Sequence, residues 1–283
     1  RYQDAQNLVA NYVNEEDLSA EQALIIARCM IAQNRFSDAL EIIASVSDDV
    51  PDAAKMKSQI TSTKAKANRL QTLWQDELAL REQEELEGNL PIMQIQTSKG
   101  PITVILLENQ APNTVANFVN LSEKGFFNGQ KFHRVVPNFV AQTGDPNSKP
   151  GESGPVGSGG PGYTIPDESS RPDKRLHFSG MLAMAKPGDP ASNGATLPNS
   201  AGSQWYITLE PQESLNTEYT VFGRVLDGQN IVEQLRKNDE VLAVTTVSRR
   251  EKEYLPNTIP PQANNDASDT GDEAAASSPT EGG

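Results

Sequence analysis

The sequence predicts a mostly β domain over residues 91–250, preceded by an all-α region over 1–90 and followed by an acidic disordered tail over 251–283. Three observations carry this division. The first 90 residues repeat apolar side chains at three- and four-residue spacing, the period of a helix face. The middle holds short β-prone runs divided by Gly- and Pro-containing turns. After Pro256 the chain is Asn, Asp, Ala, Ser, Gly and Pro without an apolar period, a composition that cannot bury a core. The net charge of −14 follows the same divisions: residues 1–90 carry −7, residues 91–250 carry −1 and residues 251–283 carry −6. A nearly neutral middle domain excludes a phosphate-backbone partner, so no nucleic-acid binding is expected.

Ser19-Ala20-Glu21-Gln22 is a capping box that opens a helix running to about Gln33, with Ala23, Ile26, Ala27, Met30 and Ile31 on one face. After a polar turn, Ala39, Leu40, Ile43 and Val46 predict a second helix to Pro51. This hairpin resembles one tetratricopeptide unit. One unit cannot bury a repeat core alone, so helices before Asn14 and after Pro51 are expected beside it. A long helix follows from Asp52 to Glu87, with a break suggested at Thr61-Ser62-Thr63. Its stripe is Leu70, Leu73, Trp74 and Leu78, and its many charges read as a solvated face. Gly88 and Pro91 end it and mark the domain boundary.

Met93–Thr97 and Ile102–Leu107 flank a Gly-containing turn and predict a β-hairpin. Pro112 opens a helix with Val115, Phe118, Val119 and Leu121 inward, stopped by Gly125. Asp227 is placed as the cap of another helix through Arg236, and Val241–Val247 as a closing strand. Cys29 lies in an apolar helical pattern and reads as core. With one cysteine and two histidines, neither a disulfide nor a metal site is expected, and no run is apolar enough to span a membrane. The chain begins at Arg1 rather than Met, which is compatible with removal of an upstream targeting or anchor segment; the compartment is not fixed by the sequence, and the cell envelope and the cytoplasm are both open.

The stretch that points to chemistry is Phe132-His133-Arg134-Val135-Val136-Pro137-Asn138-Phe139-Val140-Ala141-Gln142-Thr143-Gly144-Asp145. Two short strands meet at Pro137-Asn138, and alternation puts Phe132, Arg134 and Val136 on one face with His133 and Val135 on the other. Phe139 and Gln142 return close to Arg134. An arginine held beside an aromatic floor is costly without a partner and so marks a candidate site.

This stretch resembles the signature of the cyclophilin family of peptidyl-prolyl cis-trans isomerases, its bacterial members most. Gly180–Ala185, Gly202–Ile207 and Tyr219–Gly223 resemble later cyclophilin strands in the same order. The resemblance implies a closed antiparallel β-barrel with two capping helices. It implies a catalyst of rotation about Xaa-Pro bonds that assists protein folding and needs no cofactor and no covalent intermediate. Arg134 takes the catalytic position. Phe139, Val140, Tyr206 and Leu215 take the wall of the proline pocket, Gln142 and Gln204 hold substrate backbone, Ala185 and Lys186 form the groove strand, and Tyr219 stands where many eukaryotic members have histidine. His133 and His177 read as structural. The Gly-rich run 157–162 lacks the Lys-Ser/Thr of a phosphate loop and is expected beside the substrate groove.

Four departures from the family pattern bear on selectivity. Val140 replaces a methionine, Lys186 replaces an asparagine and adds a positive charge at the groove edge, and Ser214 replaces a tryptophan, which implies weak cyclosporin inhibition. The run from Pro187 to Ala201 is longer than in most members and is expected to overhang the pocket that reads a residue ahead of the proline. Proline-containing polypeptides are the implied partners, with a protein partner expected for the helical region. The alternative reading is a proline-peptide binding module or assembly factor with incidental turnover. Arg134, Phe139 and Gln142 argue for the enzyme, because a binder has no need of the arginine. A helical scaffold carrying a degenerate barrel is a third reading, disfavoured by four matched segments.

Overall fold

The Ser19 hydroxyl accepts the Gln22 N–H at 3.2 Å while the Ser19 N–H donates to the Gln22 side chain at 2.9 Å, so the first helix starts at the capping box. This computed structural model describes residues 18–47, 52–192 and 195–261. The expected helix before Asn14, the closure at Pro51 and the tail beyond 261 lie outside the described residues. Helix α1 is Ala20–Ala32 and α2 is Phe36–Ala44, with Asn34 turning between them at φ 61°. The apolar pattern predicts α2 to run to Pro51, but it ends at Ala44, where the Ser45 hydroxyl bonds back to the Ile42 carbonyl. Ala27 and Ala39 are fully buried, as close approach of two helices requires.

Helix α3, Ala53–Glu87, is unbroken. The hydroxyls that suggested a break bond within the helix instead, Thr61 to the Lys57 carbonyl at 2.8 Å and Ser62 to the Gln59 carbonyl at 3.1 Å. Leu70 is buried and Leu73 and Trp74 pack beside it, but Leu78 is exposed. The buried stripe continues through Glu77 and Glu84. Gly88 ends the helix in the left-handed conformation. No helix among the described residues is long and apolar enough to cross a membrane.

Nine antiparallel strands follow: β1 Ile92–Thr97, β2 Gly100–Leu106, β3 Gln130–Lys131, β4 Arg134–Val136, β5 Val140–Thr143, β6 Met181–Met184, β7 Trp205–Thr208, β8 Val221–Asp227 and β9 Glu240–Ser248. Their spatial order is β3-β9-β1-β2-β8-β6-β7-β5-β4. The two end strands are separated in sequence only by Phe132 and His133, so the sheet curls until both ends belong to one stretch of chain. That is the barrel. Helix α4, Pro112–Glu123, closes it with Val115, Phe118, Val119 and Leu121 inside. Helix α5 is Gln229–Gln234, shorter than the span from Asp227 to Arg236. Gly228, not Asp227, occupies the cap position at φ 88°, where a Cβ would stand 2.6 Å from the Pro101 carbonyl oxygen.

Strand alternation splits the sheet into two faces, and both are buried. Inside the barrel lie Ala141, Leu182, Met184, Trp205, Ile207 and Phe222. On the outer face Val140, Met181, Ala183, Tyr206 and Val221 share a second cluster with Ala27, Ile31, Phe36, Ala67 and Leu70 from the helices. Phe178 bridges the two regions, its ring 4.7 Å from Trp74 and 6.2 Å from Phe36. Gly88 is therefore a boundary in sequence but not in packing. The far boundary also moves. The sequence places the domain end at 250, yet Tyr254 is buried in the barrel core and Ile259 exchanges backbone hydrogen bonds with Thr164 at 2.7 and 3.0 Å.

Candidate active site

Arg134 pairs with Gln142, Gln142 with Tyr206, and Tyr206 with Ala183 across β4, β5, β7 and β6. Directly opposed residues share a face, so these four form one row on the outer side. Val140 and Gln204 join it two residues away along their strands. The Arg134 guanidinium sits 5.6 Å from the Phe139 ring centroid, and its Nη1 points to the Gln142 Oε1 at 3.5 Å. Asn138 at φ 61° makes the turn that brings Phe139 back, with the Phe139 N–H bonded to the Val136 carbonyl at 3.1 Å. The expected grouping of Phe132 with Arg134 fails. The chain leaves the sheet at Phe132-His133, so alternation is interrupted, Phe132 is buried inside against Trp205 and Arg134 lies outside, exposed.

A chain of amides fixes the polar side of the row. Gln204 Nε2 donates to the Gly157 and Gly159 carbonyls, both at 2.9 Å, which turns its Oε1 toward Gln142. Gln142 Nε2 donates to that oxygen at 3.0 Å, leaving its own Oε1 for Arg134. The Gly-rich loop thus stands beside the groove and orients it. The loop is itself held by Asp145, fully buried, which accepts N–H groups from Asn147 and Gly157. Gly159 has no alternative there, because a Cβ would meet the Asp145 carboxylate at 2.2 Å. Asp145 was not singled out by sequence; the Gly-Asp that ends the signature stretch, just before the Gly-rich run, was the available signal.

Apolar walls stand opposite Arg134. Phe139, Leu215, Tyr219 and Ala185 pack at the margin of the outer cluster around buried Val140 and Tyr206. The Tyr206 and Tyr219 rings meet edge to face at 5.9 Å, and the Tyr206 hydroxyl reaches His177 Nε2 at 3.0 Å. His177 is held in turn by Asn216, whose Oδ1 lies 3.0 Å from Nδ1. Burial pushes the His177 pKa down to about 4 and the Tyr206 hydroxyl well up. Burial also raises Tyr219, with Glu218 adding to it, and lowers His133, whose ring nitrogens are shut off from water.

Next to Gln204 the groove opens into a cleft of about 420 Å³, lined by Gln142, Ala185, Lys186 and the loop 157–161. Lys186 does not add a charge to its edge. Its side chain is 3% exposed and its Nζ is paired with Asp167 at 2.8 Å. Asp167 also accepts the Asn199 N–H at 2.8 Å, while Glu218 accepts the Thr196 N–H and hydroxyl at 3.2 and 3.0 Å. These two carboxylates anchor the long loop after Lys186.

Residues 92–256 match the family model described as cyclophilin type peptidyl-prolyl cis-trans isomerase. The match covers more than half of the chain and contains all ten site positions named above. The chain belongs to the cyclophilin family of peptidyl-prolyl cis-trans isomerases. Similar proteins include a peptidyl-prolyl cis-trans isomerase of Synechococcus elongatus, 41% identical over 54% of this chain and 94% of that protein. Peptidyl-prolyl cis-trans isomerase B of Bacillus subtilis is 40% identical over 47% of this chain and 82% of its own length. A solved structure of a Cryptosporidium parvum cyclophilin type isomerase aligns with a TM-score of 0.48 and 28% identity, covering 57% of this chain and 99% of that one. The family match begins at Ile92, beyond α3, so in this cyclophilin the helical region lies outside the span described by the family model.

Proposed function

We propose that this cyclophilin accelerates rotation about Xaa-Pro bonds in polypeptides, with Arg134 as its catalytic residue. An Xaa-Pro bond turns slowly because the nitrogen lone pair is delocalised into the carbonyl, a barrier of about 20 kcal/mol. No bond breaks, so neither a nucleophile nor a metal is required. A dry pocket must grip the proline ring, polar groups must hold the flanking backbone, and a donor must favour the twisted amide. A gain of about 10⁵ in rate asks for about 7 kcal/mol of such preference.

The observation that carries the reading is the outer-face row itself: a guanidinium aimed by fixed amides beside an apolar wall. Phe139, Val140, Tyr206 and Leu215 would enclose the ring, with Tyr219 beside it. Gln142, Gln204, Ala185 and the Lys186 backbone would hold the substrate strand, the Lys186 ammonium being already engaged. Arg134 already meets the Gln142 amide and the Phe139 ring before substrate arrives, and a donor placed in advance stabilises charge with little reorganisation. Direct measurement of cis-trans exchange in an Ala-Pro peptide tests this. Arg134→Ala should lower kcat/KM at least a hundredfold with peptide binding retained. If wild type and variant both show only the uncatalysed rate while binding the peptide, the chain is a binding module.

A further inference from the structure

The proposed proline pocket and the helical region are neighbours on one face of the sheet. Val140 and Tyr206 share an apolar cluster with Phe36, Ala67 and Leu70, and Leu215 packs at its margin. Beside Leu70 on α3, Arg69 reaches the barrel with a two-point grip: Nε donates to Glu213 Oε1 at 2.6 Å and Nη2 to Oε2 at 2.7 Å. Glu213 begins the short 3-10 turn Glu213–Leu215, whose last residue is the pocket wall. From within the barrel the same turn is held by His177, whose backbone N–H donates to the Asn216 side chain at 2.8 Å. Val140 and Tyr206 are placed by strand pairing; Leu215 has no ladder. Its turn is otherwise fixed by Gln212, which donates its N–H to the His177 carbonyl at 2.8 Å and its side chain to the Asn138 carbonyl at 3.0 Å, so Arg69 is the tie that comes from the helices.

We infer that Arg69 is a positioning residue for proline binding, so that α3 sets the Leu215 wall through Glu213 and the helical region is a working part of the isomerase site. This rests on the assignment of Leu215 to the proline pocket. Leu215 would grip the ring in both the planar and the twisted amide, which is uniform binding, so loosening it raises KM and leaves kcat nearly unchanged. The effect is bounded by the setting. The Arg69 side chain is 56% exposed, and exposed pairs contribute modestly even in good geometry.

The test uses the full chain and the same Ala-Pro peptide, with rates measured across substrate concentration. Arg69→Ala and Glu213→Ala should each raise KM about threefold with kcat within about twofold of wild type. The charge-exchanged double variant, Arg69→Glu with Glu213→Arg, should bring KM back toward wild type. An unchanged KM in both single variants overturns the inference, as does a loss confined to kcat that the exchange does not recover. Glu213→Ala probes the pair from the barrel side should Arg69→Ala disturb α3. Arg134→Ala in the same assay separates the two readings. If it keeps the wild-type rate, the pocket assignment fails; if it loses the rate while both Arg69 and Glu213 variants keep their KM, only the role of Arg69 fails.

Discussion

At the scale of single residues, His177 joins the chemistry of the pocket wall to pH. The Asn216 Oδ1 can only accept, and it faces both the His177 backbone N–H and Nδ1, so the proton sits on Nδ1. Nε2 is then bare and accepts the Tyr206 hydroxyl. Burial opposes a second proton, and the Lys174 charge adds to this, so the folded-state pKa falls to about 4 from an unfolded value near 6.5. Between these two values the unfolded chain binds the extra proton and the folded chain does not. Stability is therefore complete above about pH 6.5 and declines as pH falls toward 4, by on the order of 3 kcal/mol at this one group. His133, lowered by burial, acts in the same direction. Thermal melts from pH 7 to pH 4 should show the decline, and His177→Gln should flatten it. A wild-type profile as flat as that of the variant would remove His177 as the cause.

At the scale of elements, α3 shows what was legible in the sequence and what was not. Its capping glycine, like the capping box of α1 and the β1–β2 hairpin, depends on near neighbours in the chain and could be read directly. Its face could not. Glu77 and Glu84 read as solvated charge, yet both are buried because their partners come from the barrel. Arg175, with its side chain fully covered, donates to Glu77 at 2.8 Å and to Glu84, while Arg224 reaches Glu84 at 3.0 and 3.1 Å. Arg81 binds Glu77 at 2.7 Å and lies over the Trp74 ring. Arg81 is a near neighbour, but Arg175 and Arg224 stand 91 to 140 residues from the glutamates they bind, beyond any local pattern. The site divides the same way. Arg134, Phe139 and Gln142 share one hairpin and could be brought together by strand alternation. The remaining walls were reached through family resemblance, and the Lys186 charge was misread because Asp167 is distant in the chain. Removing one member of a buried ion network leaves the others uncompensated. Glu84→Gln should therefore lower stability by about 3–5 kcal/mol in urea unfolding, while exposed Glu85→Gln changes it by under about 0.5 kcal/mol. Equal midpoints for the two variants would show that the network contributes little.

At the scale of the whole molecule, these contacts make the helices and the barrel one cooperative unit. Besides the shared apolar cluster and the ion network, the Asn34 side chain exchanges two hydrogen bonds with the Ser179 backbone at 3.0 and 3.1 Å, and Asn89 accepts from Arg250 at 2.7 Å. A barrel cut away from α3 would bare Phe178 and Met181 on its outer face and leave Arg175 and Arg224 without the carboxylates that neutralise them. Phe178 and Met181 would each lose on the order of 2 kcal/mol of burial, together a large share of the whole stability of a domain, while the two guanidinium groups would turn to water. The full chain should accordingly unfold in a single calorimetric transition whose van't Hoff and measured enthalpies agree. Residues 90–261 alone should be poorly soluble, expose apolar surface to a dye, and lack the isomerase activity of the intact chain. Two resolved transitions, or a truncated barrel that folds with wild-type kcat/KM, would mean that the helices merely rest on a self-sufficient barrel. In that case the Arg69 grip on the Glu213 turn could not shape the pocket either, since a barrel that keeps its KM without α3 holds Leu215 unaided.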